Sequence, residues 1–127
     1  MEAVKAVYER WGEGDFRTDL NLLDPHVVLV HEPEFESGGP SYGIDAVVAF
    51  TRGMLEAWTQ FAIEAEEITA AGDTVVVGVR QRGVGRGSGV ETDLHYFMVW
   101  TFRARKVVRF ESIRERSKAL EAAGLSE

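Results

Sequence analysis

The chain has 127 residues, 45% hydrophobic and 28% charged, which describes one domain of ordinary globular composition able to bury roughly two-thirds of its unfolded surface. Its net charge of −7 argues against nucleic acid or an anionic membrane as partner, and no aromatic residues interleave the local basic cluster Arg80, Arg82 and Arg86. The absence of cysteine excludes disulfides, thiolate catalysis and zinc–thiolate sites; with no apolar run of about 18 residues and no signal-like N-terminal segment, a cytoplasmic location is expected.

Residues 2–12 predict an amphipathic helix, with Val4, Val7, Tyr8 and Trp11 at i, i+3, i+4 and i+7. Gly12-Glu13-Gly14-Asp15 ends it, and Asp15 is placed to cap a short second helix carrying Phe16, Leu20, Leu22 and Leu23. Asp24-Pro25 predicts a turn into an opening strand, Val27-Val28-Leu29-Val30, which runs into His31, Glu32 and Pro33. Residues 34–42 carry turn chemistry. A long helix is expected over residues 44–58, with Ile44, Val47, Val48, Thr51, Met54, Leu55 and Trp58 as its apolar stripe. The period then changes from 3.6 to 2. Strands are expected over residues 61–69, 74–82, 90–102 and 107–114, with a glycine-rich connection at 83–89 and a tight turn at 103–106. A short helix over residues 117–125 closes the chain.

Helices segregated from a mostly antiparallel sheet indicate an α+β fold. Long strands with a glycine-punctuated hairpin can curve, and a curved sheet leaves a hollow on its concave side. In the strand at 90–102, Leu94, Tyr96, Met98, Trp100 and Phe102 share one face, yet Phe97 and Val99 make the other apolar as well. The helices cover one face only, so a homodimer through the second is the simplest cover.

The order of elements resembles the nuclear transport factor 2-like superfamily, and within it the SnoaL-like proteins. The likeness is carried by Glu13-Gly14-Asp15, His31-Glu32-Pro33, Tyr42-Gly43, Ala71-Gly72-Asp73-Thr74, Val99-Trp100-Thr101-Phe102 and Lys106-Val107-Val108-Arg109-Phe110, and by the tail from Ala119 to Leu125. It covers nearly all of residues 1–127 as a single domain. It implies a cone, a curved, mostly antiparallel sheet wrapped on three helices of the N-terminal half around an internal pocket. It also implies a choice of activities, among them ketosteroid isomerase-like, polyketide cyclase-like and dehydratase-like chemistry alongside non-catalytic modules.

In isomerase-like members a carboxylate at the end of the first strand, just before proline, abstracts a proton next to a carbonyl. Glu32 stands at the matching place. An apolar pocket would raise its pKa and make it a better base near neutrality, whereas a structural role would pair it with a cation such as Arg114. His31 is the second catalytic candidate. The isomerase pattern also needs two proton donors, and here their positions fall at Val7, with Tyr8 one residue away, and at Met98, so steroid isomerase activity is not expected. His95 and Asp93, two apart on one strand face, point to an interface role. Arg80 with Glu32 and Asp93 is the nearest approach to a hydrolase-like array, which strand parity disfavours. His26, His31 and His95 have no metal-site spacing, so neither a metal nor a cofactor is expected. The expected pocket wall is Val7, Trp11, Met54, Trp58, Met98, Trp100 and Phe110, with Tyr42, Ser112 and Arg114 as further polar points around a small hydrophobic organic ligand.

Overall fold

A computed structural model describes residues 2–16, 20–31 and 40–125, with His31 described by its backbone alone. The elements run α1 (Glu2–Gly12), a 3₁₀ turn (Leu20–Leu22), β1 (Leu23–His31), β2 (Ser41–Tyr42), α2 (Ile44–Ala57), β3 (Trp58–Ala71), β4 (Thr74–Gly85), β5 (Glu91–Arg103), β6 (Lys106–Ile113) and α3 (Arg116–Ala122). The strands form one sheet in the order β2-β1-β6-β5-β4-β3. Every neighbouring pair is antiparallel except β1 and β6, which run parallel. The architecture is α+β, three helices with an open, curved, mixed sheet.

α1 buries Val4, Val7 and Tyr8, the stripe its periodicity predicts. It ends where the amides of Glu13 and Asp15 both bond the Arg10 carbonyl and Gly14 takes φ +85°. Curvature in the sheet has a local cause in β3. Its register against β4 shifts between Thr59 and Ala62, where Gln60 has φ +52°, and again between Ala65 and Glu67. Such bulges bend a strand and increase its twist.

Several sequence expectations change here. The opening strand begins at Leu23, so Asp24-Pro25 is not a turn before it but an irregularity within it. There the Asp24 carboxylate accepts the His26 amide at 2.8 Å, and the missing proline N–H is tolerated because ladder pairing is already interrupted. Ser41 and Tyr42 pair with Val28 and Leu29 as β2 rather than remaining loop. Of the expected second helix, Leu20–Leu22 form a 3₁₀ turn and Leu23 already belongs to β1, while residues 17–19 lie outside the described set. The glycine-rich segment closes a hairpin, with the Gly85 amide on the Val90 carbonyl at 2.8 Å.

Two hydrophobic clusters lie on opposite faces of the sheet. The larger joins α1 to the concave face through Val4, Val7, Tyr8, Ile63, Val77, Val79, Tyr96, Met98 and Trp100. The smaller joins Val76, Val99 and Ile113 to Ala119 of α3, with Phe97 and Ala123 at its margin. The helices therefore cover part of both faces, and the apolar convex residues are met by the chain's own C-terminal helix. The convex face also carries ion pairs, Arg80 with Asp93, Arg82 with Glu64 and Arg116 of α3 with Glu67, and a hydrogen bond between His95 and Glu66.

Candidate functional site

Between the concave sheet face, α1 and α2 lies a partly enclosed cavity of about 130 Å³. α1 contributes Val7, Arg10 and Trp11, and β1 contributes Val27 and Leu29. α2 contributes Val47, Phe50, Thr51 and Met54, spaced i, i+3, i+4 and i+7 so that one helical face looks onto the hollow. Ile63, Tyr96, Met98, Trp100, Val107, Phe110 and Ser112 form the sheet side, and Phe16, Leu22 and Leu23 complete the wall. No residue of α2 is fully buried despite its strongly apolar stripe. A helix packed on a filled core would bury that stripe; this one spans a space.

The aromatic side of the wall is interlocked. Trp100 meets Phe110 edge-on with ring centroids 4.5 Å apart, and Trp11 stacks on Phe16 at 6.0 Å. Tyr8 sits behind them, edge-on to Trp11 at 4.9 Å and to Trp100 at 5.9 Å. The Tyr8 hydroxyl accepts a hydrogen bond from Trp100 Nε1 at 3.0 Å and donates to Met98 Sδ at 2.8 Å. Tyr96 donates its hydroxyl to Gln81 Oε1 at 2.6 Å. Burial pushes the pKa of both phenols upward, so they stay protonated in ordinary conditions, and both protons are already committed within the protein. Neither is placed as a free donor to an oxyanion.

Two polar groups of the wall are uncommitted. The Ser112 side chain is buried, its residue only 3% exposed, and its hydroxyl has no hydrogen-bond partner among the described residues. Arg10 is the one charged residue of the described lining, and no described carboxylate forms an ion pair with it. The Thr51 hydroxyl, by contrast, bonds back to the Val47 carbonyl at 3.0 Å.

Of the residues expected from sequence, Val7, Trp11, Met54, Met98, Trp100, Phe110 and Ser112 come together around this cavity. Three do not. Tyr42 is 69% exposed on β2. Trp58 is half-buried at the α2–β3 junction and packs over Gly83, where an added Cβ would lie 3.2 Å from its ring, beside Phe61 rather than in the cavity wall. Arg114 is exposed just beyond β6. Glu32 lies outside the described residues, as does the side chain of His31; the His31 backbone pairs with Ser112. Arg10, Phe50 and Tyr96 join the wall without having been expected there. The signal was present for Arg10 and Phe50, three residues after Val7 and Val47 on their helices.

Asp93 and His95 of β5 stand on the convex face. Arg80 and Asp93 form a two-pronged pair at 2.9 and 2.6 Å, and that hydrogen bonding holds the Asp93 carboxyl below its usual range. His95 bonds Glu66 at 2.8 Å and lies 3.8 Å from Asp93. Arg80 thus faces away from the cavity wall, and an array that includes Asp93 cannot act inside it. No group of three or more His, Asp or Glu side chains among the described residues is placed to hold a metal ion.

A family model for the SnoaL-like domain matches residues 4–110. The chain belongs to the SnoaL-like family. Structures similar to this SnoaL-like chain include an NTF2-like protein of unknown function from Burkholderia pseudomallei K96243, with 25% identity and a TM-score of 0.77, covering 95% of this chain and 94% of that one. TerC, co-crystallised with polyporic acid, has 24% identity and a TM-score of 0.73, covering 97% and 96%. A protein from Jannaschia sp. CCS1, assigned to the SnoaL-like polyketide cyclases, has 20% identity and a TM-score of 0.73, covering 88% and 82%. No functionally curated protein matches the sequence. The fold is therefore shared across proteins of different activity, including cyclases and isomerases, and the chemistry of this SnoaL-like chain rests on its own cavity. No helix among the described residues is long and apolar enough to cross a membrane.

Proposed function

We propose that this chain is a small-molecule pocket protein that binds a compact hydrophobic carbonyl compound in the cavity behind Trp11 and Trp100. The observation that carries this reading is Ser112, a buried hydroxyl facing an apolar hollow with no described partner. An uncompensated buried hydroxyl is unfavourable, and a ligand oxygen would satisfy it. Size narrows the class. Drug-sized ligands fill about 300–1,000 Å³. The cavity's volume of about 130 Å³ is close to the ~150 Å³ that admits benzene, which favours a single ring over a fused polycycle.

For chemistry, Glu32 is the proposed general base and His31 its neighbouring candidate. They follow Val27 and Leu29, which line the cavity, and the His31 backbone pairs with that of Ser112. Proton abstraction next to the ligand carbonyl would then serve isomerisation, cyclisation or dehydration, with Ser112 donating to the developing oxyanion. The competing reading is a non-catalytic binding module. It is favoured by the committed phenols of Tyr8 and Tyr96 and by Met98 standing where an acid would be needed. A homodimer through the convex face is part of the proposal, as is a cytoplasmic location; the face would bring its ion-pair network and Phe97 to a second copy.

The test is a thermal-shift screen with monocyclic and polycyclic carbonyl compounds, repeated on Glu32→Gln. Saturating a site a hundredfold over its dissociation constant stabilises by about 2.7 kcal/mol, a shift of several degrees. Stabilisation by monocyclic compounds, with turnover lost and binding kept in Glu32→Gln, supports the enzyme. Binding without turnover in either protein leaves the module. A flat panel refutes the ligand reading.

A further inference from the structure

The one cation of the described cavity wall has a consequence for what the cavity accepts. Arg10 lies in the last turn of α1, three residues after Val7 and next to Trp11, both of which line the same space. Its backbone is fixed there, because its carbonyl accepts the amides of both Glu13 and Asp15 at 3.0 and 2.9 Å. Among the other described arginines, Arg52, Arg103 and Arg105 are exposed to solvent, and most of the rest have partners. Arg80, Arg82, Arg109 and Arg116 each pair with a carboxylate, and Arg86 bonds the carbonyls of Glu56 and Trp58. In a chain with 21 acidic and 14 basic residues, a half-buried arginine without a described carboxylate partner is conspicuous. The favourable end of the helix dipole accounts for a cation somewhere in the last turn of α1, but not for one on the side that faces the cavity.

Resting on the ligand-binding reading above, we propose that Arg10 selects ligands bearing an anionic group, so that the class taken up is a ring-sized aromatic or alicyclic acid. The apolar body would lie against Trp11, Trp100 and Phe110, and the carboxylate or enolate would pair with the guanidinium, whose planar fork suits a two-oxygen anion. A protein of net charge −7 repels small anions at long range, and a local cation at the cavity offsets that repulsion where binding occurs.

The experiment compares two probes of the same shape, 4-ethylbenzoate and 4-ethylbenzamide, by ligand-observed NMR titration at pH 7.5 and low ionic strength. It uses the full chain, Arg10→Gln, and Lys5→Gln as a matched loss of charge elsewhere on α1. In the unaltered protein the acid binds about tenfold more tightly than the amide, as a charge-assisted hydrogen bond predicts. Arg10→Gln brings the two probes to equal affinity, while Lys5→Gln keeps the preference. Equal binding of the probes to the unaltered protein, or a preference that survives Arg10→Gln, overturns the role of Arg10 and leaves the cavity a binding site. Binding of neither probe overturns both this inference and the ligand reading beneath it.

Discussion

Tyr8→Phe isolates the hydrogen bond that orients Trp100, one of the two indoles of the cavity wall. Tyr8 and Trp100 are each 5% exposed, and the Tyr8 oxygen accepts the Trp100 indole N–H at 3.0 Å. Removing that oxygen strands a buried donor, which costs about 1–3 kcal/mol. The lost O–H contact to Met98 adds little, because a thioether is a weak acceptor, and removing a poorly solvated hydroxyl returns part of the loss. The expected net effect is a destabilisation of about 1–2 kcal/mol, or a melting temperature lower by roughly 3–8 °C for a chain of this size. Thermal denaturation followed by circular dichroism measures it, and a cycle with Trp100→Phe assigns it. In the Trp100→Phe background the donor is already gone, so Tyr8→Phe should cost less by about 1 kcal/mol. An effect of Tyr8→Phe that is the same in both backgrounds refutes the claim that the indole bond is what the phenol is for.

Three further outcomes follow from local geometry. Gly53 lies exposed within α2 with open space where a Cβ would go, so Gly53→Ala should stabilise by about 0.5–1 kcal/mol in a denaturant titration. The two-residue loop between β5 and β6 holds Ala104 and Arg105 at φ +51° and +67°, a conformation suited to Asn-Gly, and Ala104→Asn with Arg105→Gly should raise the melting temperature by a few degrees. Arg80 hydrogen-bonds Asp93 and lowers its pKa, so their pairing stabilises above the ordinary carboxylate range and is lost as pH falls through the lowered value. The difference in melting temperature between Arg80→Gln and the parent should therefore be present at neutral pH, shrink in high salt and vanish in strong acid.

What could be read from the sequence was what periodicity encodes. Val4, Val7, Tyr8 and Trp11 announced the inner face of α1, and the alternation of Tyr96, Met98 and Trp100 placed them together on the concave side. What escaped was whatever depends on how elements meet. Parallel pairing of β1 with β6 is invisible in either strand alone. The cover on the convex face came from α3, whose Ala119 looks too small to matter until it meets Val99 and Ile113. Trp58 continues the apolar stripe of α2 in sequence, yet the helix stops at Ala57, and the extended backbone of Trp58 sets its ring over Gly83, away from the cavity wall. Charge alone would put Arg10 in solvent; only the packed aromatic wall shows that its side of the helix borders a hollow.

Ser112 allows stability and function to be set against each other. Among the described residues its hydroxyl is buried without a partner, at a position where β6 pairs with Met98 of β5 and His31 of β1. For the empty fold an apolar β-former is the better choice: Ser112→Val removes the unsatisfied hydroxyl, adds volume beside the cavity and should stabilise by about 1–2 kcal/mol. The same change deletes the polar group proposed to meet the ligand carbonyl, so stabilisation of the variant by any carbonyl compound found in the screen should fall by tenfold or more in affinity. A variant that melts higher and binds less is the signature of a group kept for function at the expense of packing. A Ser112→Val variant that melts lower would mean that the hydroxyl holds the fold together, through water in the cavity, and the case for a ligand oxygen at that point would fail.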